Sequence, residues 1–258
     1  MLSIGRSLSK PPPEYIYKIS GSALISGNEG IQLTDSGGWV GSDFDVGSYT
    51  NKDYSASFWW KRLDDDTGSS NQDGYKWFEM GNYNNGGVEF YYDDSTGDDE
   101  RIKIWHRGNP SGGDVHNCTK DLDHNVWYHF CITYDASATT STIYISSAGT
   151  FDSSPAVDTG LSLPDPMASS ITKVSVFAPD ADSNCYVAEF AWWKDRVLTA
   201  SEAEQLYNSG NGKAADDFPT GLVGYWKINQ NDTASKVIDY VGNHDAVATG
   251  LVFGTDTP

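Results

Sequence analysis

The chain has 258 residues, of which 17 are basic and 36 acidic, for a formal charge of −19, and 13% of its residues are aromatic. A field of that sign repels phosphates, which excludes nucleic acid and anionic membranes as partners and favours solubility, cations and basic partners. The length suits one large domain that buries most of its apolar surface without disulfides. Cys118, Cys131 and Cys185 are odd in number and follow no regular framework, so they read as free thiols.

The opening run, "MLSIGRSLSKPPPEYIYKIS", has no apolar core and no small-residue cleavage site, so no signal peptide is expected. No stretch of about 20 apolar residues is present to span a membrane. Arg6 and Lys10, followed by Pro11, Pro12 and Pro13, mark residues 1–20 as an extended, mildly basic arm for assembly, ahead of one domain over 21–258.

Strands are expected at 14–19, 29–33 and 53–61, the last with Tyr54, Ala56, Phe58 and Trp60 on one face. Further strands follow at 75–80, 87–92 and 101–105, separated by Gly, Asn and Asp turns, and at 126–134, 141–146, 171–178 and 185–193. In the last of these, Ala188, Phe190 and Trp192 alternate with Glu189, Ala191 and Trp193. Thr199 and Glu202 then form a T-x-x-E capping box for one short helix near 200–208, with Leu206 and Tyr207 as apolar anchors and Gly210 as its stop. Strands at 221–228 and 247–253 close the series. The fold class is all-β, a two-sheet antiparallel sandwich (jelly roll) with one capping helix.

Three segments carry a family likeness: "WYHFCITYDASATTSTIYISS", "VAEFAWWKDRVLTASEAEQLYNSGNG" and "GLVGYWKINQNDTASKVIDYVGNHDAVATG". Together they resemble laminin-G-like domains of the concanavalin A-like lectin/glucanase superfamily, of the kind found in bacteriophage virion proteins. The resemblance spans residues 20 to 253. It implies a helix packed over one end of the sandwich and a structural role for His129.

Retaining glucanases of that superfamily carry E-x-D-x-x-E on one strand face, and no such pattern occurs here. "DDSTGDDE" (93–100) reads as a loop, and Glu189 lacks a carboxylate partner two or four residues away. No nucleophile elbow, zinc pair or phosphate loop appears, so the chain is not expected to be an enzyme. Asp180, Asp182 and Asn184 alternate in "PDADSNC", which reads first as a hairpin turn and second as a calcium loop. Tyr83, Tyr91, Tyr92 and Trp105 lie among Asn82, Asn84, Asn85, Asp93 and Asp94. They read first as core or inter-subunit rings and second as a carbohydrate-binding face.

The function expected is a non-catalytic structural protein of a phage virion, in head decoration or tail. Its partners would be other virion proteins, copies of itself and a cell-surface glycan. The alternatives are a carbohydrate-binding module acting outside the cell and a divergent glycan hydrolase.

Overall fold

A computed structural model describes residues 18–26, 30–34, 52–63, 75–82, 86–93, 101–107, 113–161, 173–178, 184–233, 235–242 and 244–258. In chain order the strands are β1 (Ser22–Ser26), β2 (Gly30–Thr34), β3 (Tyr54–Arg62), β4 (Tyr75–Asn82), β5 (Gly86–Asp93), β6 (Arg101–Arg107), β7 (Gly113–Thr119) and β8 (Tyr128–Asp135). Then come β9 (Thr140–Ser147), β10 (Ala156–Thr159), β11 (Lys173–Ala178), β12 (Asn184–Lys194), helix α1 (Ala200–Tyr207), β13 (Leu222–Trp226), β14 (Lys236–Val237), β15 (Ala246–Thr249) and β16 (Val252–Gly254).

The first sheet runs β10-β9-β8-β3-β12-β1-β16, with β13 also paired to β12. The second runs β14-β15-β2-β11-β4-β5-β6-β7. The described pairs are antiparallel, as the period-two patterning requires when each strand buries one face in the sandwich core.

The expected face of β3 holds: Tyr54, Ala56, Phe58 and Trp60 all point into the core between the sheets. There Phe78 of the second sheet stacks on Trp192 of the first with ring centroids 4.4 Å apart, and Trp77 meets Phe130 at 4.5 Å. Each such ring pair adds about 0.5–1.5 kcal/mol beyond the area it buries. The interleaved aromatics account for a core built without disulfides, and all three cysteines are free.

Three strand expectations are corrected. Residues 14–17 lie outside the described residues, and Lys18 and Ile19 are not strand. Instead Ile19 is buried against Trp59, Ala188 and Tyr207, and Ser20 accepts from Asn229 Nδ2 at 3.0 Å. The segment 247–253 is two strands in different sheets, β15 on β2 and β16 on β1, because Gly250 turns the chain at φ 73°. In β12 the alternation changes phase. A bulge between Ala188 and Ala191, with Glu189 at φ 56°, inserts an extra residue, so Ala188 faces outward while Phe190 and Trp192 face the core. Strands β1, β7, β10 and β14 were not expected from the sequence.

The capping box forms as expected. Thr199 Oγ1 accepts from the Glu202 N–H at 3.2 Å, and Glu202 Oε2 accepts from the Thr199 N–H at 2.8 Å. The helix stops earlier than Gly210: Asn208 takes the left-handed conformation at φ 48° and its N–H donates to Glu204 O. Asparagine tolerates that region better than other side chains. Ala203 and Leu206 pack on Cys131, Ala191, Trp193 and Tyr225, so the helix lies on the outer face of the first sheet.

Candidate functional site

Neighbouring residues of a strand face opposite ways, and this separates the expected aromatic set. Tyr92 points into the core beside Trp60 and Trp77, and its hydroxyl accepts from the Leu122 N–H at 3.4 Å, so it presents no face to a ligand. Tyr91 faces outward on β5 and stacks with Trp105 on β6 at 6.4 Å, with Lys103 Nζ 5.4 Å from its ring. Yet Tyr91 is only 3% exposed, and of this pair Trp105 alone is half-buried. Tyr83 lies outside the described residues.

On the same face Glu79 and Glu89 stand directly opposite each other across β4 and β5, with Lys76 Nζ 3.7 Å from Glu79. A carboxylate pair therefore exists, formed by register between strands and not by spacing along one. Both are buried, Glu89 at 3% exposed and Glu79 at 8%.

Asp180 and Asp182 of the expected calcium loop lie outside the described residues, and Asn184 opens β12, its carbonyl accepting from Leu63 N at 3.0 Å. Among the described residues no group of three His, Cys, Asp or Glu is placed to hold a metal ion. Arg6, Lys10, Pro11, Pro12 and Pro13 also lie outside the described residues.

The motifs that carry the family likeness hold the scaffold. Arg196 Nη1 donates to the carbonyls of Phe218 and Thr220, and its Nη2 pairs with Glu202, tying the helix to the turn before β13. Asp239 accepts from the N–H groups of Tyr225, Val241, Gly242 and His244 at 3.0–3.1 Å, which accounts for the D-x-x-G-n-h segment. His129 shares a 2.9 Å hydrogen bond with Ser57, and burial lowers its pKa to about 3. Burial, then the Glu202 charge, pushes the Cys131 thiol far up. Neither the imidazole nor the thiol is reactive in that setting.

A different cluster emerges on the outer face of the first sheet, at the end away from the helix. The register places Val252 opposite Leu24, Leu24 opposite Tyr186, and Tyr186 opposite Lys61. Trp127, one residue before β8, continues the row beside Lys61. Their strand neighbours Ala23, Trp60 and Val187 fill the core, so this row faces out.

The half-buried rings of Trp127 and Tyr186 are 6.3 Å apart, and the Lys61 ammonium sits 5.3 Å and 4.8 Å from their centroids. Asp256 closes the cluster: its Oδ2 accepts from Lys61 Nζ at 2.5 Å and its Oδ1 from Trp127 Nε1 at 2.9 Å. Ser22 Oγ donates to the Asp256 carbonyl. Burial alone would raise the Asp256 carboxyl, but the hydrogen bonds from Lys61 and Trp127 and the Lys61 charge hold it below the ordinary carboxylate range. The cluster thus offers two half-buried rings and a half-exposed carboxylate, with the Lys61 ammonium buried between them at 7% exposure. No sequence motif marked it, since its members come from five separate segments.

The profile of the concanavalin A-like lectin/glucanases superfamily, in its laminin G-like branch, matches residues 34–204. The segment from 205 onward lies outside that match but completes the sheets through β13 on β12, β15 on β2 and β16 on β1. No curated protein matches the chain in sequence.

Among solved structures, the chain is similar to a protein from Bacteroides ovatus proposed to bind carbohydrate, at 17% identity and a TM-score of 0.59, over 92% of this chain and 60% of that one. This chain therefore spans less than two thirds of that relative. It is also similar to a heptameric SAP-like pentraxin from Limulus polyphemus, at 13% identity and a TM-score of 0.46, over 95% and 93% of the two chains. A third is the enzymatically active domain of tailspike protein 2 from bacteriophage CBA120, at 12% identity and a TM-score of 0.43, over 69% of this chain and 26% of that one. At 17% identity the likeness to the Bacteroides ovatus protein is one of fold alone. By the extent of the profile match, the chain belongs to the laminin G-like branch of the concanavalin A-like lectin/glucanases superfamily.

Proposed function

We propose that this protein binds carbohydrate without catalysing its cleavage, and that the Trp127–Lys61–Tyr186 cluster is the binding face. The observation that supports this reading is the pair of half-buried rings 6.3 Å apart, bracketing an ammonium that is itself held by Asp256. Sugar C–H groups pack on aromatic faces and the half-exposed Asp256 carboxylate accepts from hydroxyls, while the buried Lys61 ammonium holds that carboxylate in place. The hydrogen bond to Asp256 fixes the Trp127 ring before a ligand arrives, and Lys61, held by the same carboxylate, packs on the Tyr186 ring, which lowers the ordering cost of binding. The name of the similar Bacteroides ovatus protein points the same way.

The test is a glycan array probed with the wild type, Tyr186→Ser and Trp105→Ala. Binding lost in Tyr186→Ser and kept in Trp105→Ala supports the face. Binding lost only in Trp105→Ala moves the site to the second sheet, and an empty array removes the reading. Absence of catalysis is checked by reducing-end release from laminarin, agarose, carrageenan and alginate. Release that depends on Glu79 or Glu89 would overturn it.

The finer reading is a structural component of a phage virion, and it rests on the basic, proline-rich opening before a body of charge −19. Arg6 and Lys10 would meet an acidic neighbour, including another copy of this chain. Deleting residues 1–13 should abolish incorporation into the particle or oligomer while leaving the Tm unchanged. Normal assembly of the truncated chain removes this reading. Calcium at Asp180, Asp182 and Asn184 is part of the same proposal: saturating calcium should raise the Tm by mass action, and an equal rise in Asp182→Ala removes the site.

A further inference from the structure

The ring pair is one end of a longer feature. From Trp127, whose ring lies 5.3 Å from the Lys61 ammonium, the row crosses β3, β12, β1 and β16 through Lys61, Tyr186, Leu24 and Val252, these four each directly opposite the next. Strands lie about 4.8 Å apart, so four such steps make a track of about 19 Å, far longer than a single sugar ring needs. Its far end is apolar and open. Leu24 is half-buried, and Val252 is 59% exposed on the edge strand.

Charge narrows the ligand further. The track carries one cation, Lys61, and Asp256 neutralises it at 2.5 Å. Nothing else in the row is charged, and the protein as a whole stands at −19. An anionic chain would approach against that field and find its only cation engaged. A cationic chain would find the Asp256 carboxylate, the one that closes the row among the described residues, already occupied.

We infer that the ligand of this face is an extended, uncharged oligosaccharide lying across the strands, with its successive rings seated from Trp127 past Tyr186 to Leu24 and Val252. This inference rests on the carbohydrate-binding proposal above and adds length and neutrality to it. Affinity then grows with chain length, because each further ring covers another step of the row. The aromatic pair holds one end and the aliphatic pair the other. Val252 contributes only when the chain is long enough to reach it.

The experiment is isothermal titration of the full chain with cellobiose, cellohexaose, laminaribiose, laminarihexaose and hexagalacturonate. At least one neutral hexasaccharide should bind about tenfold tighter than its disaccharide, and hexagalacturonate should bind more weakly than that hexasaccharide. Val252→Ser should weaken the hexasaccharide several-fold and leave the disaccharide unchanged, whereas Tyr186→Ser should abolish both. Equal affinity for short and long chains, no effect of Val252→Ser, or preference for hexagalacturonate overturns the inference while leaving carbohydrate binding standing. If none of the five binds, the inference falls, and the glycan array alone decides the carbohydrate-binding proposal. If Val252→Ser instead converts a dimer to a monomer in gel filtration, the row is an interface between copies and the inference falls.

Discussion

Three strands of the first sheet each place one residue in two contrasting environments, two positions apart. Trp59, His129 and Ala188 lie under the helix and the Ile19 segment, while Lys61 and Tyr186 lie beyond that cover and Trp127, half-buried, packs against its edge. Backbone and register are shared, so the cover alone makes the difference. Under it, a histidine is held neutral and a thiol inert. Beyond it, an ammonium and a carboxylate keep their charges by pairing with each other. A buried group without a charged partner is held neutral, whereas the Asp256 carboxylate is kept charged by the bonds and the charge it meets.

The largest expected effect separates the halves by pH. His129 keeps its neutral form in the folded chain down to about pH 3, while in the unfolded chain it takes a proton below about 6.5. The unfolded state therefore binds more protons in that window, and stability falls as pH drops, by about 2 kcal/mol at pH 5 and about 4 kcal/mol at pH 3. His116 is also lowered, mainly by burial, and adds in the same direction. Denaturant titrations at pH 7 and pH 5 should show a shallower loss in His129→Gln than in the wild type; an unchanged slope would mean that His129 is not sheltered. Asp256 acts in the same direction but in a lower window. Its lowered carboxyl keeps its contribution above the ordinary carboxylate pKa and loses it only as pH falls through its own lower value. Ligand binding per folded molecule should accordingly be the same at pH 7 and pH 5.

Next in size is removal of the clip that holds the cover. Arg196→Ala strips the carbonyls of Phe218 and Thr220 of a charged donor and leaves Glu202 without its cation. A loss of about 3 kcal/mol is expected in urea unfolding, with glycan binding intact wherever the chain remains folded. A smaller step is Thr199→Ala, which removes the N-cap and should cost about 1 kcal/mol. If either variant abolished binding in the folded state, the two halves would be coupled and the contrast would be wrong.

The covered half was legible in the sequence because its devices are local. Thr199 and Glu202 are three residues apart, and the Tyr54–Trp60 face follows from simple alternation. The open half was not legible, for a physical reason: Trp127, Lys61, Tyr186, Leu24 and Val252 meet only through strand register, and register is not written in any single segment. The same reason hid the Glu79–Glu89 pair. The bulge at Glu189 hid the facing of Ala188, and the turn at Gly250 hid the division of 247–253 between two sheets. Tyr91 and Tyr92 show the converse. Composition grouped them, and the pleat sent them to opposite faces.

The central claim is that the open half of this face meets the ligand and the covered half does not. The direct measurement is a two-dimensional NMR titration of the tryptophan indole N–H signals with cellohexaose and laminarihexaose, assigned by single Trp→Phe variants. The Trp127 signal should shift with saturation, while the Trp59 signal, beneath Tyr207, stays in place. A shift at Trp59 without one at Trp127, or saturable binding that moves only Trp105, would contradict the account.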